Sequence, residues 1–251
     1  MMEAIRRQLP KSWNRYFEPM VGGAALFFCI CPSTATLSDL NDELMNFYAV
    51  LKSLPLELEH RLCGLRASRE FYYAIRRSRP RASLQRAVRF AYLNRLAWNG
   101  LYRVNRSGHF NVPMGDRLPA TLWNFSDLRL ASAALANTTL RSGDFADVLR
   151  YAREGDFVFL DPPYPRGAIG DVGFNRYAAA FFTAEDHDRL SRVVLRLSER
   201  GVKLMLTLAN RDGLQARYPK EMKRVLVRSK ALIACNGHDR RAVAELILTN
   251  Y

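Results

Sequence analysis

Phe157-Val158-Phe159-Leu160-Asp161-Pro162-Pro163-Tyr164 begins with four apolar residues, which predict a buried strand that ends at an acid and two prolines. The prolines fix the backbone and remove two N–H donors, so carbonyl groups of the turn are left unpaired by any neighbouring strand. An amino group on a flat ring could donate to the Asp161 carboxylate and to such a carbonyl, while Tyr164 stacks on the ring face. A tight strand-to-loop turn with a solvated Asp161 is the alternative.

Two further acids follow predicted strands. A short strand leads into Gly22-Gly23, Ala35–Asp39 predicts a second strand, and Thr138–Phe145 indicates a third strand ending in Asp144. A glycine turn with an acid about 20 residues later is typical of nucleotide-binding α/β units, although no GxGxxG pattern is present. Since strands alternate with helices, we predict an α/β fold with a largely parallel sheet, and these acids and Asp161 share the edge where such sheets bind ligands.

The middle of the chain has the apolar periodicity of helices rather than of alternating strands and helices. Residues 41–130 show helical periodicity and include the basic segment Arg76–Arg81, which could sit on phosphates or be a solvated loop. Asn99–Pro113 has two β-prone arms around Arg106-Ser107-Gly108 and predicts a hairpin with a polar, basic tip. Such a ribbon can enter a DNA major groove, and a purely structural surface hairpin is equally consistent with the pattern.

Composition narrows the class of protein. The net charge of +14 over 251 residues favours a polyanionic partner, although an arginine-rich chain can also reflect genome composition. The apolar runs are too short for a membrane span and no secretory signal is evident, so a cytoplasmic protein is expected. The four cysteines are predicted to be reduced and buried, with Cys29 and Cys31 in a strand pattern. The histidines lack metal-ligand spacing, and we predict no metal.

Six segments in order resemble the Dam-type DNA adenine methyltransferases. Tyr16–Phe28 is similar to that family's S-adenosylmethionine loop, Ser38–Asn41 to its ribose-binding segment and Ser142–Phe145 to its cofactor-adenine segment. The Asp161–Tyr164 tetrapeptide resembles the catalytic motif, and Asn99–Pro113 the target-recognition hairpin. The C-terminal residues 235–251 resemble the family's last strands.

The resemblance implies a Rossmann-like methyltransferase sheet, residues 1–44 and 131–251, with an inserted, mainly helical recognition domain at 45–130 that carries the hairpin. It implies transfer of a methyl group from S-adenosylmethionine to the exocyclic amine of adenine in a specific double-stranded DNA sequence, with base flipping and a GATC-like target. A monomer is expected, with a role in DNA methylation or restriction-modification.

Site residues follow by position. The implied catalytic residues are Asp161, Pro162 and Tyr164. The implied cofactor residues are Glu18, Pro19, Met20, Gly22, Gly23, Asp39, Asp144, Phe145 and Asp161. The implied DNA-binding residues are Arg103, Asn105, Arg106 and Asn111. Phe174 and Tyr177 resemble residues that border the base pocket, and packing of a loop is an equal alternative.

Two departures from the family pattern matter. Met20 stands where the family has Phe and Ala24 where it has Gly, which predicts weaker cofactor binding. A Lys-Trp-x-Gly-Gly-Lys segment, expected before the Glu18-Pro19 pair, is absent from this sequence. These departures motivate the alternative of a catalytically inactive or weakened DNA-binding relative.

Overall fold

The computed structural model describes residues 1–116, 119, 121–163, 182–210, 213–230 and 242–251. The described residues form two compact units. The sheet unit comprises Met1–Leu40 with the described parts of 137–166 and Phe182–Tyr251. The helical unit is Asn41–Ala136.

Seven strands of the described residues form the sheet of the first unit. They are β1 (Tyr16–Glu18), β2 (Ala35–Asp39), β3 (Thr138–Ser142), β4 (Phe157–Leu160), β5 (Lys203–Ala209), β6 (Lys223–Lys230) and β7 (Ala242–Thr249). Their order is β3-β2-β1-β4-β5-β7-β6, and the first five run parallel. Strand β7 pairs antiparallel with both β5 and β6. The predicted α/β fold with a largely parallel sheet is confirmed.

The central strands are buried because parallel sheets are covered on both faces. Every residue of β1 and β4 is buried, as the continuous apolar run Phe157–Leu160 predicts. The sheet unit also contains the helices α1 (Met2–Arg7), α2 (Ala25–Ile30), α8 (Phe145–Leu149) and α9 (Ala184–Glu199). Helix α9 begins at a capping box in which Thr183 and Asp186 satisfy each other's backbone N–H groups.

The strand order changes direction at β1. The chain proceeds from β1 to β2 and β3 on one side, and then returns to add β4 on the other side of β1. This reversal makes the gap between β1 and β4 the topological switch point, where open α/β sheets bind ligands beyond the carboxyl ends of their strands.

The helical unit contains five α-helices within its described residues. They are α3 (Asp42–Ser53), α4 (Pro55–Cys63), α5 (Arg69–Arg77), α6 (Ser83–Leu96) and α7 (Phe125–Leu135). Side chains of Asn41, Ser68 and Asn124 cap α3, α5 and α7, and Pro55 occupies the first turn of α4. A core that includes Tyr72, Tyr92 and Phe110 holds this unit together.

The recognition hairpin is less regular than its sequence predicts. Asn105 and His109 are joined by an N–H to carbonyl hydrogen bond of 2.8 Å, and Asn111 donates to the Arg103 carbonyl at 3.0 Å. Strand-like pairing within the hairpin is confined to the single bridge Val104↔Phe110, so the predicted two-stranded ribbon is wrong in that respect. At the turn the ladder is interrupted because the Asn105 carbonyl accepts from the Gly108 N–H, while the His109 N–H donates to the Asn105 side chain.

The cysteine prediction is also corrected. Cys29 lies in helix α2, and Cys29, Cys31 and Cys63 are exposed free thiols rather than buried ones. The apolar run that suggested a strand is a short helix that buries Leu26 and Phe27 and turns Cys29 outward. Cys235 lies outside the described residues. Within the same described ranges, no helix is long and apolar enough to cross a membrane.

Candidate active site at the carboxyl edge of the sheet

Four predicted acids lie at the carboxyl edge of the parallel strands. Glu18 and Asp39 are the last residues of β1 and β2, Asp161 directly follows β4, and Asp144 comes two residues after β3. The register aligns Phe17 with Val158, so the ends of β1 and β4 flank the switch point together. The predicted shared edge is confirmed.

Glu18 is buried at the end of β1 and is held by its own sheet unit. The Tyr16 hydroxyl donates to Glu18 Oε2 at 2.7 Å, and the backbone N–H of Phe27 also donates to the carboxylate. Burial, aided by the negative charge of Asp161, raises the pKa of Glu18 to about 8 despite these hydrogen bonds. Glu18 is therefore mostly protonated at neutral pH and orders the start of the loop after β1.

The glycine turn joins β1 to α2. Gly22 has φ +44° and its N–H donates to Asp39 Oδ2 at 3.1 Å, which ties the turn to the end of β2. A Cβ built on Gly22 or Gly23 would meet no atom within 4 Å, so protein packing is not what requires glycine at Gly23. The turn leaves room for a ligand to approach the backbone. Ala24 also has a left-handed conformation, with φ 52°.

Asp144 uses both carboxylate oxygens. Oδ1 accepts from the Ala146 N–H at 2.9 Å as the N-cap of α8, and Oδ2 accepts from Arg189 Nη2 at 2.6 Å. The Arg189 guanidinium also lies 4.5 Å from the centroid of the buried Phe145 ring. Arg189, on α9, was missed by sequence reasoning, because no motif marks an arginine 45 positions away from its partner.

Asp161 is fixed by a neighbour on β5. The Thr207 hydroxyl donates to Asp161 Oδ1 at 2.5 Å. Desolvation by surrounding protein, with the charge of Glu245, raises the pKa of Asp161 although part of the residue is accessible to solvent. Pro162 is buried and Pro163 exposed. Thr207 was also missed; its signal is a polar residue inside the apolar run that follows Lys203 in β5.

Apart from the DNA-binding residues, the structure describes two of the remaining predicted site residues, and three others lie outside its described ranges. Pro19 is buried, and Met20 is partly buried against the core of the sheet unit. Tyr164, Phe174 and Tyr177 lie outside the described residues, so their predicted roles stay predictions. The described ranges hold no group of three or more His, Cys, Asp or Glu residues arranged to bind a metal ion.

The four predicted DNA-binding residues lie in the helical unit. Arg103 Nε donates to Asn111 Oδ1 at 2.8 Å, which fixes both side chains across the hairpin. Asn105 Oδ1 accepts from the N–H groups of Ser107 and His109 and so shapes the turn. Arg106 is exposed at the tip. Asn105 is thus a turn-forming residue, whereas Arg106 is accessible to a partner.

The carboxyl edge of the sheet can therefore receive a cationic or amine-bearing ligand. Its acids are held in place by hydrogen bonds from Tyr16, Gly22, Arg189 and Thr207, so their oxygens are positioned before any ligand arrives. A preorganised acceptor beside an open glycine turn suits an amino group and a nucleoside that bind side by side.

Comparison with known proteins agrees with this geometry. Residues 1–228 match the family model of the D12 class N6 adenine-specific DNA methyltransferases. The chain is 32% identical over its whole length to the type II methyltransferase M1.LlaDCHI of Lactococcus lactis subsp. cremoris, covering 91% of that protein. It is 30% identical to the DNA adenine methylase of Escherichia coli K12, over 98% of this chain and 90% of that relative. The chain therefore belongs to the D12 class of N6 adenine-specific DNA methyltransferases.

Proposed function

We propose that this methyltransferase moves a methyl group from S-adenosylmethionine to the exocyclic amine of adenine in a specific, GATC-like duplex sequence, with the target base flipped out of the helix. The observation that carries the proposal is the Asp161 carboxylate, held by Thr207 at the end of β4 beside the switch point. The donor supplies an electrophilic methyl group when bound.

Asp161 and Pro162 would activate the target amine. Its lone pair is delocalised into the ring, so it is a poor nucleophile. Hydrogen bonds to the Asp161 carboxylate and the Pro162 carbonyl favour tetrahedral geometry at nitrogen and stabilise its developing positive charge. Tyr164 is proposed to stack on the base.

Different cofactor residues are proposed to contact different parts of the methyl donor. The open turn at Gly22 and Gly23 admits the ligand, and Asp39 beside it suits ribose hydroxyl groups. Asp144 and Phe145 are proposed to hold the adenine of the donor. Glu18, with Pro19 and Met20, lines the start of the loop. The Met20 and Ala24 departures are expected to weaken this binding.

The helical unit is proposed to recognise DNA. Flipping the base costs a few kcal/mol, whereas one aromatic stack returns about 1 to 3 kcal/mol, so contacts elsewhere must supply the remainder. Arg103, Asn105, Arg106 and Asn111 are the proposed hairpin contacts. Residues 1–44 and 131–251 would form the catalytic domain and 45–130 the recognition domain. The protein is proposed to act as a monomer in the cytoplasm.

A methyl-transfer assay tests the proposal. Purified protein is incubated with adenine-containing duplexes and methyl-labelled S-adenosylmethionine, the DNA is digested, and mass spectrometry measures N6-methyladenine. Methylation-sensitive sequencing of DNA from expressing cells then gives the target. Formation of N6-methyladenine at one sequence is expected. Duplex binding without that product, and without heat on titration with S-adenosylmethionine, would favour the inactive DNA-binding relative.

A further inference from the structure

A basic cleft opens in the helical unit beside the hairpin turn, and none of the four proposed hairpin contacts lines it. Its volume is about 130 Å³. The charged residues that line it are Glu43, Arg79, Arg86 and Arg89, and its ring-bearing side chains are Tyr102, His109 and Phe110. We call it the arginine cleft. It combines the end of the basic segment Arg76–Arg81 with one face of α6 and the turn of the hairpin.

The positive charge of the arginine cleft is only partly neutralised. Arg86 is paired with Glu43, with Nη2 to Oε1 at 3.0 Å. Arg79 and Arg89 have no carboxylate partner among the residues that the structure describes. Three guanidinium groups facing one carboxylate leave the cleft with a net charge of about +2. Arg86 and Arg89 are partly buried and Arg79 is exposed, and cations in excess of their counterions favour an anion.

The two unpaired arginines are held in place by the backbone. Arg89 Nε and Nη2 donate to the carbonyls of Ile75 and Arg76 at 3.2 and 2.9 Å, and Arg79 Nη1 donates to the carbonyls of Arg76 and Ser78 at 2.9 Å. Burial and the neighbouring charge of Arg79 lower the pKa of Arg89. Each guanidinium has five N–H donors, so both keep donors for a ligand. The repulsion between them is relieved when an anion binds.

We propose that the arginine cleft binds one phosphodiester group of the duplex DNA backbone, through Arg79 and Arg89, an inference that rests on the proposed DNA substrate. Guanidinium groups match the oxygens of a phosphate in pairs. Gly108 and His109 of the hairpin turn line the same cleft, so a phosphate held there would fix the register of the hairpin. Phosphate contacts position a protein on DNA, and base contacts specify the sequence.

Salt-dependent DNA binding by the full chain, without methyl donor, tests the cleft. Fluorescence anisotropy of a labelled duplex is measured from low to high KCl for the wild type, Arg79→Gln, Arg89→Gln and their double variant. Arg61→Gln is the control, because Arg61 is exposed on α4 and outside the cleft and loses the same charge. Thermal unfolding checks each variant, and Arg79→Gln decides alone if Arg89→Gln does not fold.

The double variant is expected to bind about tenfold more weakly at 0.1 M salt, with the slope of log affinity against log salt reduced by about 1. The single losses should not add, because both arginines hold the same phosphate, and duplexes of unrelated sequence should be affected equally. A double variant indistinguishable from Arg61→Gln overturns the cleft. If the wild type still methylates DNA in that case, the proposed function is supported and only the phosphate site is wrong. If the salt slope depends on the cleft arginines but no N6-methyladenine forms, the phosphate site is supported and the proposed function is wrong.

Discussion

The acids at the carboxyl edge of the sheet and the arginines of the helical unit differ in the hydrogen-bond partners that hold them. Glu18, Asp144 and Asp161 each accept a hydrogen bond from a defined side chain of their own unit. Within the described residues, the hydrogen bonds of Arg79 and Arg89 go to backbone carbonyls, and Arg106 is exposed. Methyl transfer to a single amine needs hydrogen-bond acceptors that are fixed before the amine binds. A polyanion, in contrast, can neutralise arginines that have no counterion in the free protein. The contrast predicts large, local effects on catalysis at the sheet edge and graded, salt-dependent effects on binding in the helical unit.

The largest effect is expected at Asp161. Asp161→Ala removes the proposed acceptor for the target amine and should lower kcat about 100- to 1000-fold, because one preorganised contact of this kind is worth about that much. Duplex affinity should remain within about twofold. Single-turnover formation of N6-methyladenine and anisotropy with the same duplex measure the two quantities. Retained methylation would show that Asp161 is only a turn residue. Thr207→Val is the milder companion, since it keeps the carboxylate and removes its 2.5 Å donor.

Arg106 tests the proposed role of the helical unit in DNA recognition. Arg106→Ala should lower discrimination between the target duplex and a duplex with one altered base pair by about 10- to 100-fold, because a base contact is worth about 1 to 3 kcal/mol. Methylation of both duplexes is compared at low salt. An equal loss on both would instead assign Arg106 to phosphate contact. Ser107, exposed in the same turn and outside the lining of the arginine cleft, offers Ser107→Ala as a control for local disturbance.

Arg189 should show an intermediate effect. Arg189→Leu removes the 2.6 Å contact to Asp144 and the stacking on Phe145, so Asp144 becomes less well positioned for its proposed contact with the adenine of the donor. The KM for S-adenosylmethionine should rise about three- to tenfold with kcat nearly unchanged, a modest figure because the pair is partly exposed to solvent. Arg189→Lys should recover part of the loss. A fall in kcat with unchanged KM would contradict this positioning role.

Sequence reasoning found the acids but not what holds them. Asp161 was recognisable because a strand, an acid and two prolines adjoin in sequence, and the resemblance to the DNA adenine methyltransferases is confirmed by the family match. Thr207 and Arg189 contact their partners across the fold, over 46 and 45 positions, where no local pattern reports them. Cys29 was misread because an apolar run of six residues fits a strand and a short helix equally well. The extent of strand pairing in the hairpin was overestimated, because β propensity does not show where the pairing stops.

Glu18 makes stability depend on pH. Its pKa is about 8 in the folded chain and near 4.5 when unfolded, so the folded state binds the extra proton between these values. The stabilising contribution is complete below about pH 4.5 and is lost as pH rises through 8, with a slope of at most about 1.4 kcal/mol per pH unit. Urea unfolding at several pH values should show a flatter profile for Glu18→Gln. Parallel profiles for the two proteins would exclude Glu18 as the source.

The smallest effect is expected at Ala24, where the glycine turn meets α2. Ala24 has φ 52° and ψ 32°, a left-handed conformation that costs a residue with a Cβ about 1 to 2 kcal/mol. Ala24→Gly removes this strain but adds about 0.4 to 1 kcal/mol of unfolded-state entropy, so a net gain in unfolding free energy of up to about 1 kcal/mol is expected. Ala25→Gly is the matched control, because Ala25 is exposed in the first helical turn and should lose about 0.5 to 1 kcal/mol. Equal losses in both variants would show that the turn carries no backbone strain, and that the family's glycine at this position serves the ligand rather than the fold.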